Sequence, residues 1–158
     1  MSKTLKNLES AFAGESMANR RYLYFAKICR RLGATDVAEV FEKTAEQETA
    51  HAHGHLELLF PPETLTVEKM LELAIEGETY EYTEMYPEFR TTAEEEGNAA
   101  AASEMTEQIK ESKEHAEQFA KILTKAEKRF RALAKVEERH ANNYKETLNK
   151  FTSKKSEA

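Results

Sequence analysis

Apolar residues recur along this chain at steps of three and four, the helical period, and no segment alternates strictly as a half-buried strand would. The first stripe reads Leu5, Leu8, Phe12, Glu15, Ala18, Tyr22, Phe25, Cys29, Leu32 and predicts a helix over residues 4–32, stopped at Gly33. A second helix, capped by Thr35 and Asp36, carries Val37, Phe41, Ala45, Glu48, His51, His55 and Leu59 and ends near Phe60, before Pro61 and Pro62. Thr66 caps a third, with Lys69 where a full capping box has an acid. Its stripe is Val67, Leu71, Ala74, Glu78, Glu81, Met85 and Phe89, kinked by Pro87 and closed near Gly97. Two further helices are expected over 98–123 and 125–151, with a polar, disordered tail over 152–158. These last two resemble each other at a shift of 25: Lys110, His115, Ala116, Phe119 and Leu123 fall on Lys135, His140, Ala141, Tyr144 and Leu148. Glu137 falls on Ser112, so only the second copy holds an acid three residues before its histidine. The pattern is all-α, in one domain over residues 1–151.

Composition narrows the partners. One third of the residues are charged and the net charge is −6, which argues against nucleic acid or an anionic membrane as the main partner. No run approaches a membrane span and no basic-then-apolar leader opens the chain. Cys29, the one cysteine, excludes an internal disulfide and a Cys-x-x-Cys metal knuckle. A soluble cytoplasmic protein is expected.

The chemistry lies in the residues that interrupt the apolar stripes: Glu15; Glu48 and His51; Glu78 and Glu81; Glu137 and His140. A single glutamate in such a stripe is ordinarily a boundary residue reaching solvent, and a single Glu-x-x-His is ordinarily a surface pair. Seven of them in phase on four helices need another account, because a buried charge is costly unless paired or bound to metal. One Glu from each of two helices plus Glu-x-x-His from each of two others is the known layout of ferritin-like di-iron carboxylate bundles, and the present set resembles it. Carboxylates and imidazoles suit two Fe ions, with Mn possible. His53 points off the face of His51 and reads as solvated, and His55 as a helix-end residue.

The stretches Ala11-Phe12-Ala13-Gly14-Glu15-Ser16, Asn19-Arg20-Arg21-Tyr22, Glu48-x-x-His51, residues 76–87 around Glu78 and Glu81, and residues 134–140 resemble the rubrerythrin family. That resemblance implies a ferritin-like four-helix bundle, here with an additional helix. It implies metal ligands at Glu15, Glu48, His51, Glu78, Glu81, Glu137 and His140, and active-site tyrosines at Tyr22 and Tyr86. An ungapped continuation past Gly97 would put the last pair on Ser112 and His115; Glu137 and His140 are preferred because that copy keeps its carboxylate. The four-cysteine rubredoxin domain common in the family has no counterpart in these residues, which resemble the shorter, erythrin-type members.

The activity implied is reduction of hydrogen peroxide at two irons, with electrons from an external rubredoxin-like or other carrier. Ferroxidase iron storage is the rival enzyme reading, a manganese catalase-like site a weaker one, and a helical interaction protein the non-enzymatic one. Chain reach adds an expectation about assembly. Glu48 lies 12 residues before Phe60 and Glu78 lies 12 after Thr66, so each arm is about 18 Å. A link returning over both arms would span roughly 36 Å, whereas residues 61–66 reach about 20 Å. The third helix is therefore expected to cross into a partner, giving a helix-swapped homodimer.

Overall fold

The computed structural model describes residues 2–156, with side chains described for residues 2–149. Every regular element among them is helical, the all-α class expected of a ferritin-like chain: α1 (Lys3–Arg31), α2 (Thr35–Leu59), a 3-10 turn (Pro62–Thr64), α3 (Val67–Tyr80), a π-helical turn (Glu81–Met85), α4 (Tyr86–Glu95) and α5 (Ala99–Ser156). No helix among the described residues is long and apolar enough to cross a membrane. The chain divides into two compact units, residues 1–65 and 66–158.

The first unit is a helical hairpin. Ser2 caps α1 by accepting from the Leu5 N–H at 3.2 Å. Gly33 closes it with φ +79°, its N–H bonding the Arg30 carbonyl while the Ala34 N–H reaches back to Cys29. This closure leaves Ala34, not Thr35 or Asp36, at the start of α2, and Ala34 makes no side-chain cap; the expected cap is corrected on that point. The two helices meet along small residues at heptad spacing. Ala38, Ala45 and Ala52 of α2 are buried, as are Asn19 and Ala26 of α1. Asn19 is the polar member of this seam: its Nδ2 donates to the Ala45 carbonyl at 2.7 Å and to Thr49 Oγ1 at 2.9 Å. Arg30 pairs through two nitrogens with Glu42 near the turn, in an exposed position where such a pair contributes little.

The second unit packs α3, the π turn and α4 along α5. Thr66 caps α3 by accepting from Lys69 N–H at 3.1 Å, as expected. Pro87 has no N–H to continue the ladder. Just ahead of the proline, Tyr86 N–H bonds the Glu81 carbonyl, five residues back, and closes the π turn. Gly97 (φ +70°) ends α4, and Asn98 both completes that stop through Ala93 and caps α5 by accepting from Ala101 N–H.

The two helices expected over 98–123 and 125–151 are one helix. No Gly or Pro follows Gly97, and Thr124, at the supposed break, turns its hydroxyl back to the Ala120 carbonyl inside an unbroken ladder. The helix is described to Ser156; of the expected tail, the last two residues lie outside the described ones, as do the side chains of the rest.

Asn19→Ala should destabilise the hairpin by about 1–3 kcal/mol, since it removes the buried side chain whose hydrogen bonds tie α1 to α2. Urea unfolding of the metal-free protein checks this, and an unchanged midpoint would show that the seam holds by packing alone.

Candidate metal centre

The Asn19 tie fixes the register of α1 on α2, and Glu15, one turn earlier on α1, then faces Glu48. His51 Nδ1 lies 3.0 Å from Glu48 Oε2. Ligand atoms of Glu15, Glu48 and His51 all lie within 4.8 Å of one another, and among the described residues this is the group of three that converges so closely. The carboxyl of Glu15 is held above its ordinary range, chiefly by its hydrogen bond to Glu48 and then by desolvation. Glu48 is held below its range by accepting from Glu15 and from His51. The two acids are thus coupled, and Glu15 is the one that keeps its proton to the higher pH. Two oxygens and an imidazole nitrogen converging this way fit a first-row dication, which would displace that proton and neutralise both acids. His55 is near enough to lower Glu15 electrostatically, a role its helix-end position did not suggest.

The second unit builds its own cluster. Glu78 and Glu81, three apart, are both half-buried at the junction of α3 and the π turn. Across from them on α5, Ser112 Oγ donates to Glu81 Oε2 at 2.9 Å, and His115 Nδ1 lies 3.3 Å from Glu78 Oε2. Ser112 is buried, with 3% of its surface exposed. Tyr86 is pushed up, first by burial and then by the charges of Glu81, Glu78 and Glu104, so its hydroxyl keeps its proton near neutral pH.

The sequence expectation put Glu137 and His140 opposite Glu78 and Glu81, and the structure corrects that placement. Because α5 does not break, His140 stands 25 residues beyond His115 on the same helix, about 37 Å along its axis. Both residues are exposed there, with His140 Nδ1 3.9 Å from Glu137 Oε2. The structure thus brings together Glu15, Glu48 and His51 in one unit and Glu78, Glu81, Ser112 and His115 in the other. Tyr86 belongs with the second cluster, while Tyr22 sits two turns past Glu15 with its ring 5.8 Å from Phe41. Preferring the copy with the acid hid Ser112. The usable signal was burial: Ser112 and Ala116, small residues four apart, form the face that α3 and α4 can approach.

Two consequences follow for metal binding. Glu15→Gln keeps a donor to Glu48 but removes the like charge, so it should raise the metal-free melting temperature while weakening Fe(II) or Zn(II) binding by at least about tenfold. A raised carboxyl contributes stability at low pH and loses it as pH rises through the raised value, so the parent should lose metal-free stability over that window and the variant less. Ser112→Glu should increase metal retained by the second cluster, whereas Glu137→Ala should leave it unchanged; metal analysis after dialysis reads both, and loss in Glu137→Ala alone would restore the sequence placement.

The rubrerythrin family model matches residues 6–123, a span that includes Ser112 and His115 and stops short of Glu137 and His140. Rubrerythrin of Porphyromonas gingivalis is 39% identical over 137 residues, covering 80% of this chain and 68% of its own length. A putative rubrerythrin of Methanocaldococcus jannaschii is 35% identical over 147 residues, covering 80% and 72%. Nigerythrin in its fully reduced, all-ferrous state aligns over 80% of this chain and 69% of its own at 32% identity, with a TM-score of 0.41, a likeness from which nothing about helix arrangement follows. By family match and by these relatives, the chain belongs to the rubrerythrin family.

Proposed function

We propose that this chain is a cytoplasmic non-haem di-iron peroxidase that reduces hydrogen peroxide to water in defence against oxidative stress. The observation that carries the reading is the pair of carboxylate–histidine clusters, one in each unit: Glu15, Glu48 and His51, and Glu78, Glu81 and His115. These six would hold the metals. Two irons, when bound, supply the two electrons that reduce the O–O bond of peroxide. With two protons, one peroxide then gives two waters.

The chain's own groups handle protons and position. Tyr86, kept protonated by burial and by its acidic neighbours, is a hydrogen-bond donor beside Glu78 and Glu81 and can support a departing oxygen. Ser112 holds Glu81 by donating to it, a neutral support where a second acid would repel. Tyr22 is assigned the corresponding donor role from the family resemblance. The π turn begins at Glu81 and so sets the direction of that carboxylate relative to Glu78. Reducing electrons are assigned to an external rubredoxin-like or other carrier, as the family resemblance implies.

The reading extends to assembly. The ordered helix ends keep the link short, Phe60 to Thr66 with a 3-10 turn inside it. A homodimer in which each centre combines the α1–α2 hairpin of one chain with the second unit of a partner meets that limit.

Stopped-flow mixing of the anaerobically reduced, iron-loaded protein tests the function. Oxidation by peroxide should be at least about tenfold faster than by oxygen; the reverse order, or a mineral core in a large cage, supports iron storage instead. Tyr86→Phe and Tyr22→Phe should keep both metals and slow the peroxide reaction, and loss of metal in either would make that tyrosine structural.

A further inference from the structure

The distal part of α5 is a large surface that neither cluster uses. Every described residue from Glu127 to Asn149 is exposed. The segment is nevertheless patterned: Phe130, Leu133, Glu137, His140 and Tyr144 follow at alternating steps of three and four, the seam of a two-stranded coiled coil. Phe130 and Leu133 are 50% exposed and Tyr144 is 75% exposed. Large apolar side chains left open at coiled-coil spacing on either side of a polar pair mark an interaction surface.

The spacing selects the occupant. It is symmetric about a point midway between Glu137 and His140, with Leu133 four residues before the acid and Tyr144 four after the imidazole. Laid antiparallel, a second copy therefore meets this seam in register. Leu133 of each chain then faces Tyr144 of the other, and Glu137 faces His140 of the other. A parallel pairing would set Glu137 against Glu137, which like-charge repulsion opposes. Charge complementarity thus favours the antiparallel copy, and polar residues inside a coiled-coil seam are known to fix register.

The central layer gathers two carboxylates and two imidazoles between apolar layers. Burying those acids is costly without compensation. Within each helix the Glu137 carboxylate lies on the Nδ1 side of His140, at 3.9 Å, leaving Nε2 as the ring's other donor atom. Four such donors form the closed set that zinc takes. We propose that the distal part of α5 pairs antiparallel with the same segment of a second copy, and that Glu137 and His140 of both chains hold one zinc-class dication there. This does not rest on the peroxidase reading.

The test uses the full chain in a Cys29→Ser background, with Leu133→Cys and Tyr144→Cys made separately. A short bis-maleimide should link the mixed variants several-fold more than either alone, because like positions lie about 16 Å apart along the axis in the antiparallel register. Zinc should raise the mixed yield, and should no longer do so when Glu137→Ala or His140→Ala is added. All four changes sit on exposed positions, so the fold is expected to survive them. Equal self-linking of each variant, or no linking in the mixture, overturns the pairing. A zinc response that persists without Glu137 and His140 overturns the metal site.

Discussion

Carboxylates facing carboxylates on half-buried helix faces are the constraint on which this structure depends. Glu15 and Glu48 bring carboxylate oxygens within 4.8 Å of one another, and Glu78 and Glu81 sit three apart on one face. Like charges at that distance oppose folding unless something holds the helices in register and something neutralises the acids. In the first unit the holding is done by the alanine seam and Asn19, which place α1 against α2 independently of the charges. His51 lies beside Glu48, and a dication held by Glu15, Glu48 and His51 would neutralise both acids.

The two clusters solve this problem differently. In the first, Glu48 and His51 are spaced as a complete Glu-x-x-His pair with a third acid opposite. In the second, serine stands where the acid of the pair would be, and both acids come instead from α3 and the π turn. Ser112 donates a hydrogen bond where a carboxylate could only accept, so Glu81 is held without added negative charge. Tyr86, near Glu78 and Glu81, belongs to the serine-bearing cluster.

Much of this was legible in the sequence, and for identifiable reasons. Gly33, Gly97 and Thr66 act locally, through backbone conformation and a single side-chain bond, so the helix ends they set are where the sequence put them. The in-phase acids of α1, α2 and α3 were legible because stripe phase is also local. What escaped was non-local. A repeat at a shift of 25 suggested two helices, but similarity does not interrupt a ladder, and nothing between Leu123 and Lys125 breaks one. With the break gone, the choice between Ser112 with His115 and Glu137 with His140 is decided by distance along a rigid rod. Residue type, which favoured Glu137, had no bearing on that distance.

Small seams also explain why so much apolar surface stays open. The buried hydrophobic side chains among the described residues are alanines: Ala26, Ala38, Ala45, Ala52, Ala93 and Ala116. Alanine lets helices approach closely but removes little apolar area from water, at about 25 cal/mol per Å². The larger side chains, Phe25, Met70 and Phe89 among them, flank the seams and remain 42%, 47% and 48% exposed. Each unit by itself therefore leaves most of its hydrophobic stabilisation unrealised. A ligand that binds only the folded form stabilises it by mass action, so a cation at either cluster would add to stability that packing alone leaves small. The acids and the open apolar faces thus belong together: each leaves the unit with a cost that a ligand binding only the folded form would offset.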